Sequence, residues 1–230
     1  MTPTARRQES AIPGKLKVFV VDDHPIVRQG LAQMINREPD LMVCGEAEEA
    51  TAALHTIICE KPDILIIDIS LKGPDGLELL KNVRVRFPSL PVLILSMHDE
   101  SIYAERALRA GANGYIMKHE AAEKVMGALR QILNQEIYVS ERVASQILHH
   151  YIAGSSTVKQ SPLEDLSDRE LEVFRLIGEG HSTRTIADEL HLSVKTVESY
   201  QAHIKEKLSL KNGRELVQHA IQWVMNEKVA

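Results

Sequence analysis

Two short apolar runs, each followed directly by aspartate, constrain the fold of this chain more than any other feature. The runs are residues 17–21 and Ile64–Ile67, and they are followed by Asp22 and Asp23 in the first case and by Asp68 in the second. Continuous runs of branched residues are typical of strands that are buried on both faces of a parallel sheet. Ligands of open α/β sheets bind where the carboxyl ends of such strands meet. The sequence therefore predicts three neighbouring carboxylates at one edge of a parallel sheet.

This arrangement of acids predicts a chemical role. Neighbouring carboxylates repel one another unless a cation screens them, and a small hard ion such as Mg²⁺ suits oxygen ligands. A metal that bridges Asp68 and a phosphate would make Asp68 an acceptor of a phosphoryl group. One alternative stays open for Asp22 and Asp23, which could instead be N-caps of the following helix.

Two later runs end in side chains that complement a phosphorylated carboxylate. Residues 92–95 are followed by Ser96, and Gly114–Met117 is followed by Lys118. A hydroxyl and an ammonium group can both donate hydrogen bonds to new phosphoryl oxygens. We therefore expect Ser96 and Lys118 at the same sheet edge as the acids.

The string from residue 22 to residue 31, DDHPIVRQGL, together with the order of these later residues, resembles the receiver domain of two-component response regulators of the NarL/FixJ subgroup. The resemblance implies a flavodoxin-like α/β fold, a doubly wound five-stranded parallel sheet, over residues 16–136. By position it implies the following roles: Asp68 as phosphoacceptor; Asp22, Asp23, Asp68 and the backbone carbonyl of Ser70 as ligands of Mg²⁺; Ser96 and Tyr115 as the switch pair; Lys118 as a phosphate contact.

One position departs from the pattern of this family. The loop after the acceptor usually carries proline where this chain has Lys72. Lysine restores an amide donor and frees the backbone φ angle, so the sequence leaves open how this loop is held and which partners it prefers.

Length and composition set the bounds of the domain organisation. A chain of 230 residues with 44% hydrophobic and 26% charged residues is typical of globular proteins and can form two domains. We expect a disordered tail over residues 1–15 and a linker with a helical segment over 137–162. The absence of a transmembrane run and the presence of only two cysteines predict a cytoplasmic protein with no membrane partner.

Residues 163–230 have the pattern of an all-α, four-helix domain. Ser167 and Glu170 form a capping box at the start of its first helix, and further helices are expected from Ser182 or Thr183, from Ser193, and over 214–225. The tight segment before Ser193 predicts a helix-turn-helix, whose second helix enters the major groove of DNA.

The strings LSDRE, IADEL and KTVESY in this domain resemble the LuxR-type DNA-binding domain. Residues 193–214 contain five Lys/Arg and two acids, although the whole chain has a net charge of −5. A solvated helix face is the alternative interpretation of such a basic run. The resemblance and the basic charge together predict the following DNA contacts: Lys195, Thr196 and Lys207 to phosphates; Glu198, Ser199 and Ala202 toward the bases.

The last helix carries an apolar stripe, and the resemblance implies a dimer contact there, which would match inverted half-sites on double-stranded DNA. The stripe consists of Leu216, Val217, Ala220, Ile221 and Val224. Packing of all five within the domain's own core is the alternative.

Together with these patterns, the two resemblances imply a transcriptional regulator that accepts a phosphoryl group on Asp68 from a sensor histidine kinase. Phosphorylation would then promote homodimerisation and promoter binding, and RNA polymerase is a further candidate partner. We expect no enzymatic turnover beyond slow self-phosphorylation from small donors and self-dephosphorylation. Two rival hypotheses remain: a Mg²⁺-dependent phosphohydrolase, and an atypical receiver that no longer uses phosphate.

Overall fold

The computed structural model describes residues 14–71, 75–120, 122–152 and 162–227. Residues 1–13 of the predicted tail, Lys72 and residues 153–161 of the predicted linker lie outside the described residues. The described residues form an N-terminal α/β domain, an intervening helix and a C-terminal helical domain.

The N-terminal domain contains one parallel sheet of five strands in the order β2-β1-β3-β4-β5. The strands are β1 Leu16–Val21, β2 Leu41–Ala47, β3 Ile64–Ile67, β4 Val92–Ser96 and β5 Gly114–Met117. The four apolar runs of the sequence are therefore strands, as predicted. The sequence had not located β2, since this edge strand is only partly buried and lacks a continuous apolar run.

Helices cover both faces of the sheet, which confirms the doubly wound α/β fold. They are α1 Pro25–Arg37, α2 Ala50–Glu60, α3 Gly76–Arg86, α4 Glu100–Arg109 and α5 Ala122–Leu133. Because successive residues of a strand point to opposite faces, Val18 and Val20 pack with residues of α1 and α5, whereas Phe19 and Val21 pack with residues of α2, α3 and α4. Burial on both faces explains why each run is apolar at every position.

A further helix, α6 Glu141–Ile152, follows this domain and lies within the range predicted as a linker with a helical segment. It packs against α4. Val143 is buried, and the Ser140 hydroxyl donates a hydrogen bond of 2.7 Å to the Glu100 carboxylate. The helix is thus attached to the α/β domain through α4.

The C-terminal domain consists of four helices, preceded by a short 3₁₀ turn at Pro162–Asp165. The helices are α7 Asp168–Gly178, α8 Thr183–Glu189, α9 Val194–Lys207 and α10 Gly213–Glu227. Ser167 and Glu170 form the predicted capping box, and the side chains of Ser182 and Ser193 accept amide hydrogen bonds at the starts of α8 and α9. These caps satisfy backbone donors that a helix start leaves free, and they place each helix start where the sequence predicted.

Helices α7 and α10 pack closely against each other in the core of this domain. A side chain at Gly178 would lie only 2.4 Å from the Ala220 carbonyl oxygen, so the absence of one lets the two helices approach closely. Phe174 of α7 and Trp223 of α10 pack with ring centroids 5.6 Å apart. This contact joins the first and last helices of the domain.

Candidate phosphoacceptor site and nucleic-acid interface

The predicted carboxylates converge at the carboxyl ends of β1 and β3. Single ligand atoms of Asp22, Asp23, His24 and Asp68 lie within 4.8 Å of one another. The Asp22 and Asp68 side chains are almost completely buried, and Asp23 is half-buried. The Asp68 amide donates to the Val21 carbonyl oxygen at 2.8 Å, so the pairing of the two strands continues up to the acceptor.

The alternative role of Asp22 and Asp23 as helix caps is not observed. Helix α1 begins after His24, which is its N-cap and makes no capping bond through its side chain. The Asp22 carboxylate instead accepts a hydrogen bond of 2.8 Å from the His24 amide, outside the helix. The acids are therefore free of a capping function and face the site.

Lys118, directly after β5, neutralises part of this acidic cluster. Its ammonium nitrogen lies 2.6 Å from Asp68 Oδ2 and 2.7 Å from Asp22 Oδ2. Burial disfavours the charged ammonium, but the Asp68 and Asp22 carboxylates outweigh burial and raise the pKa of Lys118. The lysine thus stays positively charged beside the acceptor.

The acceptor itself has one oxygen left for chemistry. Burial raises the pKa of Asp68, with Lys118 opposing that effect. Among the described residues, none donates a hydrogen bond to Asp68 Oδ1, although this atom is buried. A buried oxygen without a donor, next to two further carboxylates, fits a site for a hard divalent cation and an incoming phosphoryl group.

The predicted switch residues are both buried beside the site. Ser96 is fully buried at the end of β4, and Tyr115 is 1% exposed in β5. The Tyr115 hydroxyl donates to the backbone carbonyl of His98 at 2.8 Å, and the His98 amide donates to Ser96 Oγ at 3.3 Å. Burial raises the pKa of Tyr115 well above its ordinary value, so this side chain acts as a neutral donor.

Two residues that the sequence analysis did not single out support the site. Arg28, on α1, donates a hydrogen bond of 2.6 Å to the Asp22 carbonyl oxygen and a second, charge-assisted bond to Glu48. His98 lies in the segment between β4 and α4. For Arg28, the available signal was its place inside the string DDHPIVRQGL, and the structure shows that this arginine is buried. No sequence pattern pointed to His98.

In the C-terminal domain, α8 and α9 form the predicted helix-turn-helix. Val197 of α9 is fully buried and packs in the core of the domain. The predicted DNA contacts Lys195, Glu198, Ser199 and Ala202 are exposed on α9, and Thr196 is half-exposed. One continuous face of this helix is therefore accessible, with its amino-terminal end open.

Lys207, the remaining predicted phosphate contact, already has a partner. Its ammonium nitrogen donates to Glu170 Oε2 at 2.6 Å, which ties the end of α9 to the start of α7. The lysine side chain is 38% exposed. Its structural role in joining two helices is thus established by geometry, and its contact with DNA stays a prediction.

The apolar stripe of α10 divides into two groups. Leu216, Ala220 and Val224 are buried in the domain's own core, so the structure favours the packing alternative for these three residues. Val217 is 44% exposed and Ile221 is partly exposed. A dimer contact through α10 therefore remains a prediction for Val217 and Ile221 alone.

The two domains meet at the start of α7. Arg106 of α4 donates hydrogen bonds of 2.8 Å to the carbonyl oxygens of Leu163 and Leu166 and one of 3.2 Å to Asp168. Lys81 of α3 also pairs with Asp168, at 2.9 Å. These contacts hold the C-terminal domain by α7 and leave the predicted recognition face of α9 exposed.

Two protein families match this chain, one over the domain with the acidic site and one over the domain with the helix-turn-helix. The family described as "Response regulator receiver domain" matches residues 18–145, and the family described as "Bacterial regulatory proteins, luxR family" matches residues 164–220. A search of the described residues finds no helical segment with the length and apolar character of a transmembrane span.

Individual relatives match nearly the whole chain. The oxygen regulatory protein NreC of Staphylococcus epidermidis is 35% identical over 212 residues, which cover 90% of this chain and 97% of that protein. NreC of Staphylococcus carnosus is 34% identical over 211 residues, with the same coverage.

Solved structures show the same architecture. A structure of RcsB from Salmonella typhimurium, described as showing conformational dynamism for DNA interaction, aligns with a TM-score of 0.65 and 27% identity over 90% of this chain and 98% of that chain. RcsB bound to the rprA promoter with the phosphomimetic BeF₃⁻ aligns with a TM-score of 0.60 and 28% identity, with the same coverage.

Proposed function

The chain belongs to the bacterial response regulators that join a receiver domain to a LuxR-type DNA-binding domain, and on this premise we propose that phosphorylation of Asp68 controls its binding to promoter DNA. The observation that supports this most directly is the buried Asp68 Oδ1. It lies beside two further acids and the Lys118 ammonium, with the switch residues buried next to the site.

The proposed reaction is the transfer of a phosphoryl group from a histidine kinase. An Asp68 carboxylate oxygen attacks phosphorus, the O–P bond forms, and the N–P bond of the phosphohistidine breaks to return the imidazole. Asp22, Asp23, Asp68 and the backbone carbonyl of Ser70 would hold Mg²⁺. When bound, Mg²⁺ supplies positive charge between the carboxylates and the phosphoryl oxygens.

The chain's own residues then respond to the new group. Lys118 exchanges part of its contact with Asp68 for the phosphoryl oxygens, and the Ser96 hydroxyl donates to another of them. Since the His98 backbone contacts both Ser96 and Tyr115, movement of Ser96 changes the position of Tyr115 and of the start of α4. Arg106 on α4 carries this change to the DNA-binding domain.

The proposed output is the binding of double-stranded DNA as a homodimer. Lys195 and Thr196 would contact phosphates near the amino-terminal end of α9, and Glu198, Ser199 and Ala202 would face base edges. Val217 and Ile221 would contribute to the dimer contact, which matches inverted half-sites. We place the protein in the cytoplasm, where a kinase, DNA and RNA polymerase are all accessible.

A binding-site selection with the full chain tests this function. The protein is treated with Mg²⁺ and acetyl phosphate, and is compared with the untreated protein and with the treated Asp68→Asn variant. We expect enrichment of a defined sequence that is strongest for the treated wild-type protein. Equal enrichment by all three samples would contradict control by phosphorylation, and enrichment of no sequence would contradict promoter recognition.

Treatment of the wild-type protein with acetyl phosphate also tests the two rival hypotheses. A regulator takes up phosphate stoichiometrically, whereas a phosphohydrolase releases inorganic phosphate continuously from an excess of donor. An atypical receiver would show neither uptake nor release. Measuring bound and free phosphate over time therefore distinguishes the three functions.

A further inference from the structure

His98 connects the loop after the phosphoacceptor with the segment that carries the switch serine. Its ring nitrogen Nε2 and the Ser70 hydroxyl oxygen share a hydrogen bond of 2.9 Å. We propose that His98 is a positioning residue for phosphoryl transfer to Asp68, because it holds the loop of Ser70 in place relative to Ser96. This inference rests on the proposed phosphorylation of Asp68.

The backbone of His98 makes two further contacts with the switch. Its amide donates to Ser96 Oγ at 3.3 Å, and its carbonyl oxygen accepts from the Tyr115 hydroxyl at 2.8 Å. One residue is therefore bonded to three residues on the loop after β3, on β4 and on β5. Side chain and backbone together fix the relative positions of these strand ends.

The ring of His98 is itself held in one orientation. It is 8% exposed and stacks on Tyr103 of α4, with ring centroids 4.5 Å apart and an angle of 24° between the planes. Burial, together with Arg175 and Lys118, lowers the pKa of His98 to about 3. The buried, stacked ring therefore contacts Ser70 from a fixed position.

The loop after Asp68 is a segment in which small displacements matter. Ser70 follows Asp68 by two residues, and its backbone is one of the groups that lower the pKa of Asp68, against the larger effect of burial. Gly76, at the start of α3, approaches the acceptor so closely that a Cβ there would lie 1.9 Å from the Asp68 carbonyl oxygen. Both described ends of this loop, Ser70 and Gly76, therefore lie next to the backbone around Asp68.

The sequence gives a reason why this loop uses an anchor of this kind. Lys72 stands where the related family usually has proline, and lysine lacks the fixed φ angle of proline. The bond between Ser70 and His98 restrains the start of the loop, because His98 lies in the segment between β4 and α4. Restraint of a reacting group before the reaction lowers the entropy lost on reaching the transition state.

A double-mutant cycle on the full chain tests the inference. Ser70→Ala removes one partner of the bond, and His98→Phe removes the other while it keeps an aromatic ring on Tyr103. We expect each single variant to lower the rate constant of phosphorylation by acetyl phosphate about fivefold at saturating Mg²⁺, the effect of losing one hydrogen bond. The double variant should be no slower than either single variant, because both remove the same contact.

Mg²⁺ affinity supplies a readout that is independent of phosphorylation. In calorimetric titration without donor, both single variants should bind Mg²⁺ more weakly than the wild-type protein, because Ser70 contributes its backbone carbonyl to the proposed ion site. His55→Phe, a change on the exposed face of α2, is the matched control and should equal the wild-type protein in both measurements.

Each outcome decides between the inference and the function on which it rests. If the effects of the two single variants multiply in the double variant, the residues act independently and the inference is wrong. Wild-type rates and Mg²⁺ affinities in Ser70→Ala would also overturn it, and this variant does not disturb the aromatic stack. If the wild-type protein itself takes up no phosphate while Mg²⁺ binds, the proposed function fails instead.

Discussion

The Lys118 ammonium nitrogen lies 2.6 Å from Oδ2 of Asp68, while the buried Oδ1 of the same carboxylate has no hydrogen-bond partner among the described residues. One oxygen is thus paired with the Lys118 ammonium group, and the other is buried and available for a ligand. Burial without a partner is costly for a carboxylate oxygen unless a ligand completes the site. This asymmetry within a single carboxylate is the basis of the first two predictions.

Replacement of Asp68 by asparagine should abolish phosphoryl uptake. The amide keeps the shape of the side chain but lacks a nucleophilic carboxylate oxygen. Intact-mass spectrometry after treatment with acetyl phosphate and Mg²⁺ should show an adduct of about 80 Da, one phosphoryl group, on the wild-type protein only. Asp188→Asn, at an exposed position of α8, is the control that should still be labelled. A labelled Asp68→Asn protein would place the acceptor elsewhere.

Replacement of Lys118 by methionine should destabilise the receiver domain. The lysine side chain is 6% exposed, and its loss leaves Asp22 and Asp68 buried and repelling each other. Breaking a buried pair from one side typically lowers the free energy of unfolding by about 3 kcal/mol. Urea titrations should show this loss without Mg²⁺ and a partial recovery at high Mg²⁺. Equal stability of the variant and the wild-type protein would show that Lys118 does not neutralise these acids.

The sequence was sufficient to predict the sheet edge because strand ends are local features. The acids and Lys118 each follow an apolar run directly, so their convergence depends only on parallel pairing of the strands. The helix starts of the C-terminal domain were predictable for the same reason, since Ser167 and Ser193 bond to amides three residues away. Local chemistry determined these features.

Features that depend on contacts between distant segments could not be predicted. The bond between Ser70 and His98 spans 28 residues, and the contact of Arg106 with Asp168 spans 62. The burial of Leu216 within its own domain likewise depends on how α10 packs on α7. Periodicity shows that a helix face is apolar, but it does not show whether the face packs within the domain or against a second subunit.

Replacement of Lys195 by alanine should weaken DNA binding by a similar factor for every sequence. The residue is exposed in the first turn of α9, and we expect it to contact a phosphate of the DNA backbone. Loss of one phosphate contact should lower the slope of log affinity against log salt concentration by about 1. Binding that is unchanged at all salt concentrations would exclude Lys195 from the interface. Ser199→Ala, in contrast, should alter the preferred sequence more than the salt slope.

Replacement of Lys207 by methionine should destabilise the DNA-binding domain in a pH-dependent manner. Burial alone would raise the pKa of Glu170, but the hydrogen bonds from Lys207 and the Ser167 amide outweigh burial and lower it. A carboxyl group with a lowered pKa contributes stability above its unfolded pKa and loses that contribution as the pH falls through its folded pKa. The free energy of unfolding of the variant should therefore be lower by about 1 kcal/mol at neutral pH. This value is smaller than that of a fully buried ion pair because Lys207 is partly exposed.

Unfolding of this variant can be followed by the fluorescence of Trp223, because it is the only tryptophan of the chain and lies in the affected domain. The difference in free energy of unfolding between variant and wild type should become smaller as the pH is lowered toward the pKa of Glu170. The control variant Lys211→Met, at an exposed position, should have the same free energy of unfolding as the wild type. A difference that stays constant with pH would contradict the role of this ion pair. An unchanged salt slope of DNA binding would remove Lys207 from the predicted phosphate contacts.

Replacement of Arg106 by alanine should release the DNA-binding domain from the receiver without changing access to the recognition helix. Arg106 donates to two backbone carbonyls and to Asp168, whereas Arg109 of the same helix pairs with Glu105 of its own helix, so Arg109→Ala is the matched control. Small-angle X-ray scattering should show a larger radius of gyration for Arg106→Ala only.

The affinity of Arg106→Ala for a single DNA half-site should stay within about twofold of the wild-type affinity, because α9 is already exposed in the docked arrangement. A twofold change is less than the contribution of one hydrogen bond. A large gain in half-site affinity would mean that the receiver covers the recognition helix in solution, and an unchanged radius of gyration would mean that Arg106 does not hold the two domains together.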